Sequence, residues 1–377
     1  MNAVLDTPLR ADEGKKLKKQ LIGKLALSAV LAAASFLLVL ASRSDAFMAL
    51  YAPFSKWISA ALGSMCSIAP FSLAEALLYA LLLLGVFFTV RLIVRLVRGR
   101  TKFLLARYFV NAVLFFCAMM FAFFLLWGVN YDAAPLADRL ELDVKPRGIE
   151  ELYNLTAALQ ERANALAVRV VRDDTGAMAL PSFADTAGLV AQGWRETAAL
   201  YPVFEAPWYP PVKRVASWYA MSRFGISGIY IPFTGECNVN PDEVAAYLPA
   251  TMAHEMAHRL SVAREDEANF AAFLCCVSAD SDFLNYSGYY MAYDYALSRL
   301  YAAAPERALA LMQTQSALLT YDRKLQSEHY YKYAGPVMEA ASAVNNTYLK
   351  SMGQSDGVHS YGRLVDLLLA WYEREGV

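Results

Sequence analysis

Residues 252–273 read MAHEMAHRLSVAREDEANFAAF, and they decide how the rest of the chain is interpreted. Two of the four histidines, His254 and His258, lie here four positions apart, and Glu255 directly follows the first. On a helix this spacing projects both imidazoles from one face, about 5–6 Å apart, so that both can reach one metal ion. Glu255 lies one position round the helix, where its carboxylate can take a proton from water beside the metal. The stretch therefore predicts a zinc site with two histidine ligands and a general base.

A third ligand is expected after the histidines, because a catalytic zinc takes three protein ligands and keeps one position open. Arg264 stands where a metzincin has its third histidine, and a guanidinium group does not bind zinc. The carboxylates that follow are Glu265, Asp266 and Glu267. Two simpler alternatives are a histidine pair packed on an apolar helix and a set of acids that only forms a solvated first helical turn.

The segment EDEAN (265–269) resembles the E-x-x-A-(D/N) element of the gluzincin metallopeptidases, including the membrane-bound heat-shock and prenyl-protein proteases. In those families the first glutamate is the third zinc ligand, and the last residue orients a ligand histidine. The resemblance implies that Glu265 binds zinc and that Asn269 supports a histidine from behind. Only six residues separate His258 from Glu265, which requires a tight turn. Glu267 is near enough to compete as the ligand, and otherwise belongs with Asn269 behind the ligands.

The whole chain also resembles a group of bacterial membrane proteins known only as a domain of unknown function. It carries their segments GIYIPFT (228–234), NNTYLK (345–350) and SYGRLVDL (360–367). A hydrolase of this kind needs donors for the developing oxyanion. We predict that Tyr361 and Arg363, in the last of these segments, supply them.

Other oxyanion donors stay open, because no spacing selects one among 23 tyrosines. The remaining candidates are Tyr348, His359 and the cluster EHYYKY (328–333).

Composition indicates a chain that is part membrane and part globular. It is 57% hydrophobic and 18% charged, and three apolar runs cover about residues 21–41, 71–90 and 108–129. Each run has the roughly 20 residues that a helix needs to cross the hydrocarbon core. The net charge of −1 gives no basic face, so no nucleic-acid partner is expected. The five cysteines have no paired spacing and are predicted to be free thiols.

Basic residues orient these runs. Five precede the first run and six lie between the second and third, whereas the loop between the first and second has only Arg43 and Lys56. Because basic flanks stay in the cytoplasm, the N-terminus and the second loop are predicted to be cytoplasmic. Three crossings then place the rest outside the plasma membrane of a bacterial cell.

Two domains are expected: a membrane anchor over 1–130 and an extracytoplasmic domain over 131–377. The second is predicted to be mainly helical with a small β-sheet, an α+β zincin-like domain. SGIYIPFTGE (227–236) is typical of short strands and a turn, with a proline that favours an edge strand. It is expected either to bind the substrate backbone or to be a buried supporting hairpin. A helix is predicted from Pro241, with a kink or a shifted cap at Pro249.

The sequence thus favours a membrane-anchored zinc metallopeptidase that hydrolyses peptide bonds of envelope or extracytoplasmic proteins and peptides. Its expected partners are a peptide or protein substrate and the lipid bilayer. The alternatives are a zinc-binding membrane sensor or scaffold without catalysis, and an anchored structural protein without a metal. The glutamate after His254 favours the enzyme, since a binding protein needs no base there.

Overall fold

A computed structural model describes residues 11–99, 103–352 and 363–376. The protein is mostly helical and has one three-stranded sheet, which confirms the predicted fold class. Internal contacts divide the chain into two compact units. One consists of residues 1–50 and 74–129, and the other of residues 51–73 and 130–377.

The N-terminal part of the chain forms four helices. They are α1 (Ala11–Ala41), α2 (Asp45–Cys66), α3 (Leu73–Val97) and α4 (Leu104–Leu126). Three of them are long and apolar enough to cross a membrane, over Gly14–Ala41, Leu73–Val97 and Leu104–Leu126. The three predicted spans are therefore helices, although the second extends further towards its C-terminus than predicted. These helices indicate that the protein associates with a membrane.

Helix α2 replaces the loop that the sequence predicts between the first two spans. Its residues from 51 onwards belong to the second unit. Ser55, Ser59 and Gly63 recur every four residues, so they line one face of the helix. A Cβ atom at Gly63 would lie 2.7 Å from the carbonyl oxygen of Gly235. These small residues allow a close approach that apolar periodicity alone does not reveal.

The second unit continues with eleven α-helices and three strands among the residues that the structure describes. In chain order they are α5 (Leu136–Arg139), α6 (Ile149–Ala167), α7 (Phe183–Leu200), β1 (Lys213–Arg214), α8 (Trp218–Phe224), β2 (Gly228–Ile231), β3 (Glu236–Val239), α9 (Leu248–Arg259), α10 (Glu265–Ser278), α11 (Asp282–Ala303), α12 (Pro305–Met312), α13 (Ala317–Tyr333), α14 (Pro336–Ser351) and α15 (Arg363–Glu375).

The sheet has the order β1-β3-β2, so β3 is central and β2 is an edge strand, as Pro232 indicates. β2 and β3 form the predicted hairpin, with Tyr230 opposite Cys237. Its turn contains Gly235 at a φ of 63°, where a Cβ atom would lie 2.4 Å from the carbonyl oxygen of Ser59. A residue with a side chain cannot replace this glycine without moving α2.

Helix α9 begins later than the sequence predicts. It starts at Leu248 rather than Pro241, and Pro249 lies in its first turn. The side chain of Asn240 accepts a hydrogen bond from the backbone N–H of Asp242, which holds the preceding residues in a turn. Pro249 produces no kink, because the first turn of a helix has no partner for the N–H that proline lacks.

Helices α9 and α10 form the centre of the second unit. Helix α10 is buried without interruption from Asp266 to Cys276, and α9 is buried along its whole length except at His254. A helix that is buried on every side must be covered on every side. Helices α7, α11 and α15 and the sheet provide this cover. The predicted metal ligands therefore lie on the central, most deeply buried helices of this unit.

Candidate metal centre

A tight turn joins the two central helices. Ser261 has a φ of 68°, and the backbone N–H groups of Ser261 and Val262 donate to the carbonyl oxygens of His258 and Ala257. A serine in this left-handed conformation costs roughly 1–3 kcal/mol unless its surroundings hold it there. The turn reverses the chain within the five residues between α9 and α10. It thereby brings Glu265, the first residue of α10, back against the histidines.

His254, His258 and Glu265 meet at one point. The Nε2 atoms of the two histidines lie 3.3 and 3.7 Å from the two carboxylate oxygens of Glu265. One ligand atom from each residue lies within 4.8 Å of the others. Ligand atoms round a tetrahedral zinc with bonds of ~2.1 Å are about 3.4 Å apart. The spacing and the two-nitrogen, one-carboxylate donor set therefore fit a catalytic zinc ion.

Each histidine has a partner that fixes which nitrogen faces this point. Nδ1 of His258 lies 2.8 Å from the backbone carbonyl oxygen of Val262, and Nδ1 of His254 lies 2.8 Å from the amide oxygen of Asn269. A carbonyl oxygen only accepts hydrogen bonds, so each Nδ1 carries the proton. Each Nε2 then directs its lone pair towards Glu265, which is the tautomer that binds a metal.

The charges at this point favour a cation. Burial lowers the pKa of His258 to about 4, so this ring is neutral at pH 7. Burial also lowers the pKa of His254, but the hydrogen bond and the negative charge of Glu265 outweigh it and raise the pKa overall. A metal ion at this point would interact favourably with the same carboxylate, and its binding would compete with protonation of His254.

Glu255 lies beside the ligands with its carboxylate almost completely buried. Burial raises its pKa to about 8, the charge of Glu265 adds to this effect, and the backbone N–H of Tyr230 donates to the carboxylate. A Cβ atom at Gly228 would lie 2.4 Å from Glu255 Oε1. Within the described part of the chain, Oε2 has no hydrogen-bond partner. A buried side-chain oxygen without a hydrogen-bond partner is rare in proteins. It is consistent with a carboxylate that binds a ligand or water at this position.

Of the two glutamates that the sequence left open as third ligand, Glu265 faces the histidines. The carboxylate of Glu267 accepts hydrogen bonds from the backbone N–H of Leu136 at 2.8 Å and from Arg264 at 2.9 Å. Arg139 lies 3.9 Å from its second oxygen. Glu267 therefore supports the start of α10 and is already neutralised by two guanidinium groups.

Of the two predicted oxyanion donors, the structure describes only Arg363. Tyr361 lies outside the described residues, as does His359. Arg363 donates from Nε to the buried carboxylate of Asp266 at 2.9 Å. This contact places Arg363 behind the residue that follows Glu265. Its role as an oxyanion donor stays a prediction, and so does that of Tyr361.

Three further tyrosines lie round the ligands. The amide of Asn269 donates to the hydroxyl of Tyr295 at 3.5 Å, and burial together with the nearby charges raises the pKa of Tyr295 to about 12. Burial and the charge of Glu265 also raise the pKa of Tyr348, whose hydroxyl lies 3.2 Å from that of Tyr131. Sequence reasoning named Tyr348 but missed Tyr131 and Tyr295, since neither belongs to a motif.

The edge strand β2 runs directly beside Glu255. Gly228 and Tyr230 of this strand both contact the carboxylate, and the side chain of Ile229 points away and is 43% exposed. Among the described strands, β2 pairs with β3 on one side only. On its other side, the backbone N–H of Tyr230 donates to the Glu255 carboxylate.

Comparison with known proteins identifies a family. A family model described as "Protein of unknown function (DUF3810)" matches residues 51–369, and the chain therefore belongs to this family. No curated protein and no solved structure matches the chain. The matched range begins where the second unit begins and includes all three potential ligands. The likeness to gluzincins thus rests on residues 254–269 alone.

Proposed function

We propose that this member of the DUF3810 family is a membrane-anchored, zinc-dependent metallopeptidase that hydrolyses peptide bonds of envelope or extracytoplasmic proteins. One observation carries the proposal. His254, His258 and Glu265 direct two imidazole nitrogens and a carboxylate at one point, with Glu255 buried beside it. Three protein ligands leave a tetrahedral ion one open position, which is the arrangement of catalytic rather than structural zinc sites.

The metal and the chain have separate tasks in this reaction. Zinc in such a site supplies a Lewis acid, which polarises a carbonyl group and makes water more acidic. Glu255 supplies the base: its carboxylate takes a proton from water as the water oxygen bonds to the peptide carbonyl carbon. The same proton then passes to the amide nitrogen as the carbon–nitrogen bond breaks. A cation beside Glu255 lowers the pKa of this carboxylate from about 8, so that it can act as a base at neutral pH.

Position matters as much as charge for this base. The N–H of Tyr230 holds one side of the Glu255 carboxylate, and Gly228 leaves the space that it occupies. The strand that carries both residues is an edge strand of the sheet, and on its outer side the N–H of Tyr230 is bonded to Glu255. We infer that an extended substrate pairs with this edge, which would hold its carbonyl group next to the base. The alternative is that the strand only supports the core.

The helices and the basic residues support the proposed location. Three helices can span a membrane, and the segments before the first and between the second and third carry most of the nearby lysines and arginines. The positive-inside rule then places the N-terminus in the cytoplasm and residues 131–377 outside the plasma membrane of a bacterial cell. Peptides and proteins of the envelope are the substrates available there.

A zinc-binding sensor or scaffold without catalysis is the competing proposal. It requires the ligands but gives no reason to bury a carboxylate whose Oε2 has no partner among the described residues. Such a group costs about 1–3 kcal/mol of stability, a cost that a base explains and a scaffold does not. The two proposals differ in what happens when Glu255 is replaced.

Hydrolysis of a mixed peptide library by the purified full-length protein tests the proposal. We expect Glu255→Gln to bind zinc as the wild type does and to lose at least ~100-fold in rate. Glu243→Gln is the matched control, because Glu243 is a half-buried carboxylate whose pKa desolvation also raises, to about 7. Equal rates for Glu255→Gln and wild type would refute the assignment of the base. Zinc binding without hydrolysis by the wild type would favour the scaffold.

A further inference from the structure

The chain connects the second unit to the membrane spans at two points. The residues at both points form hydrogen bonds with the elements that surround the three ligands. It leaves this unit after residue 73 and returns to it at residue 130. Leu73 is also the first residue of the second candidate span, and the third ends at Leu126. The end of an inserted span lies near the edge of the hydrocarbon core. Leu73 and Asn130 therefore mark the membrane surface on this side.

The first of these points is joined to the sheet. The backbone N–H of Leu73 donates to the carboxylate of Glu236 at 3.1 Å, and Glu236 is the first residue of β3. Lys213 lies 2.7 Å from the same carboxylate and donates to the carbonyl oxygen of Phe71 at 2.9 Å. Glu236 is 2% exposed, and the charges of its carboxylate and of Lys213 strengthen these bonds.

The bonded path continues to the base. Cys237, the neighbour of Glu236, donates from Sγ to the backbone carbonyl oxygen of Glu255 at 3.1 Å. Two side chains thus connect the start of a span to the helix that carries the base and both histidines. With neighbouring Cα atoms 3.8 Å apart, this path is no longer than about 20 Å, and the straight distance is shorter.

The second point is joined to the turn between the ligand helices. The amide of Asn130 donates to the hydroxyl of Ser55 at 2.8 Å, and the hydroxyl of Ser261 donates to Ser55 at 3.2 Å. The guanidinium group of Arg264 donates to the carbonyl oxygen of Ala133 at 2.9 Å. Residues 130–136 thus lie against the start of α10, next to Glu265.

The surface at the first point is apolar. Met65, Ile68 and Phe71, which precede the second span, are 67%, 88% and 54% exposed. Large apolar side chains in a row are unusual on a surface that faces water only, and they suit a bilayer surface. This apolar exposure directly before the second span agrees with a position of Leu73 at the membrane surface.

From these contacts we infer that the substrates are polypeptides anchored in the same bilayer, cut within the first residues that emerge from it. The inference rests on the proposed hydrolytic function and names its substrate class. A distance of about 20 Å corresponds to roughly six residues of extended chain at ~3.3–3.6 Å per residue. A segment near its own membrane anchor can therefore reach the ligands directly, whereas distant segments must fold back.

Cleavage mapping in vesicles tests the inference. The full-length protein is reconstituted with zinc in vesicles of phosphatidylethanolamine and phosphatidylglycerol. The probe is a degenerate peptide of about 40 residues, roughly 130 Å when extended, that carries a diacyl lipid at one end. The same peptide without lipid is the comparison, and Glu255→Gln is the blank. Mass spectrometry of the fragments gives the position of each cut relative to the lipid.

We expect the cuts to concentrate within about ten residues of the lipid, and the unanchored peptide to be cut at least ~10-fold more slowly. Cuts spread evenly along the anchored peptide, or equal rates for both peptides, would overturn the substrate class and leave the hydrolytic function standing. If neither peptide is cut by the zinc-loaded protein, the proposed function fails, and this inference fails with it.

Discussion

The amide oxygen of Asn269 lies 2.8 Å from Nδ1 of His254, on the side of the ring away from Glu265. This contact selects the tautomer whose Nε2 can bind a metal. Asn269 and Glu265 are four residues apart on α10, so one helix face provides both a ligand and the support for another ligand.

Replacement of this support should weaken zinc binding without abolishing it. We expect Asn269→Ala to lower zinc affinity by ~10–100-fold, because the freed imidazole can rotate and change its tautomer. Asn269→Asp retains an acceptor oxygen and should keep most of the affinity. Competition with a chromophoric chelator measures both. An alanine variant with wild-type affinity would show that the contact has no role in holding the metal.

The space at Gly228 provides a test of the base that leaves its carboxyl group in place. A Cβ atom there would lie 2.4 Å from Glu255 Oε1, so Gly228→Ala should displace the carboxylate and lower the hydrolysis rate by at least ~10-fold. Zinc content should be unchanged, because the ligands are not touched.

Gly188→Ala on α7 is the matched control, since a Cβ atom there meets nothing within 4 Å. It should leave activity intact and should raise stability by roughly 0.5–1 kcal/mol, as alanine favours a helix. Full activity in Gly228→Ala would show that the strand does not position the base.

The buried carboxylate of Glu255 should make the metal-free protein less stable as the pH rises. Its pKa is about 8 in the folded chain against 4.5 as the ordinary value, so over this range the unfolded chain is ionised while the folded chain holds a proton. The folded state therefore binds more protons, and stability falls from about pH 4.5 to about pH 8. Glu255→Gln should remove this loss, which amounts to roughly 1–3 kcal/mol at neutral pH.

Thermal unfolding of the zinc-free protein in detergent, at several pH values, measures this difference. The gain in Tm of Glu255→Gln over wild type should widen as the pH rises. Glu306→Gln, at an exposed position in the first turn of α12, should show no such trend. A constant difference between Glu255→Gln and wild type would mean that Glu255 does not hold a proton in the folded, metal-free site.

The oxyanion donor can be identified by comparing two tyrosines. The negative charge of Glu265 contributes to the raised pKa of Tyr348, so these two side chains lie close together. Tyr361 is predicted from the sequence alone. Removal of a hydroxyl that stabilises the transition state lowers kcat by up to about 10²–10³-fold with little change in KM. We expect Tyr348→Phe or Tyr361→Phe to show this pattern with full zinc content. If neither does, the donor belongs to another residue.

Patterns within one element were readable from the sequence. The apolar runs predicted three long helices, the histidine pair predicted one helix face, and the glycines and proline round 228–234 predicted a hairpin with an edge strand. Each of these depends on residues close together along the chain. The resemblance of 265–269 to a known motif added Glu265 and Asn269, which no periodicity indicates.

Features that depend on distant contacts were missed. Helix α2 was expected to be a loop, because the part of it that packs on the Gly235 turn presents the small residues Ser59 and Gly63. The roles of Gly228 and Tyr295 depend on contacts with residues that are distant in sequence. Gly228 leaves space for Glu255, and Tyr295 accepts a hydrogen bond from Asn269. The start of α9 moved to Leu248, because a side-chain hydrogen bond of Asn240 holds the preceding turn.

Zinc content of the full-length protein, purified in detergent, tests the proposed site most directly. We predict about one zinc per folded wild-type chain, lost in His258→Ala and in Glu265→Ala. His329→Ala, a histidine on α13, and Glu267→Gln should retain the metal. Retention of zinc in Glu265→Ala would place the third ligand elsewhere. A folded wild-type protein that takes up no zinc would contradict the metal site, and with it the proposed enzyme.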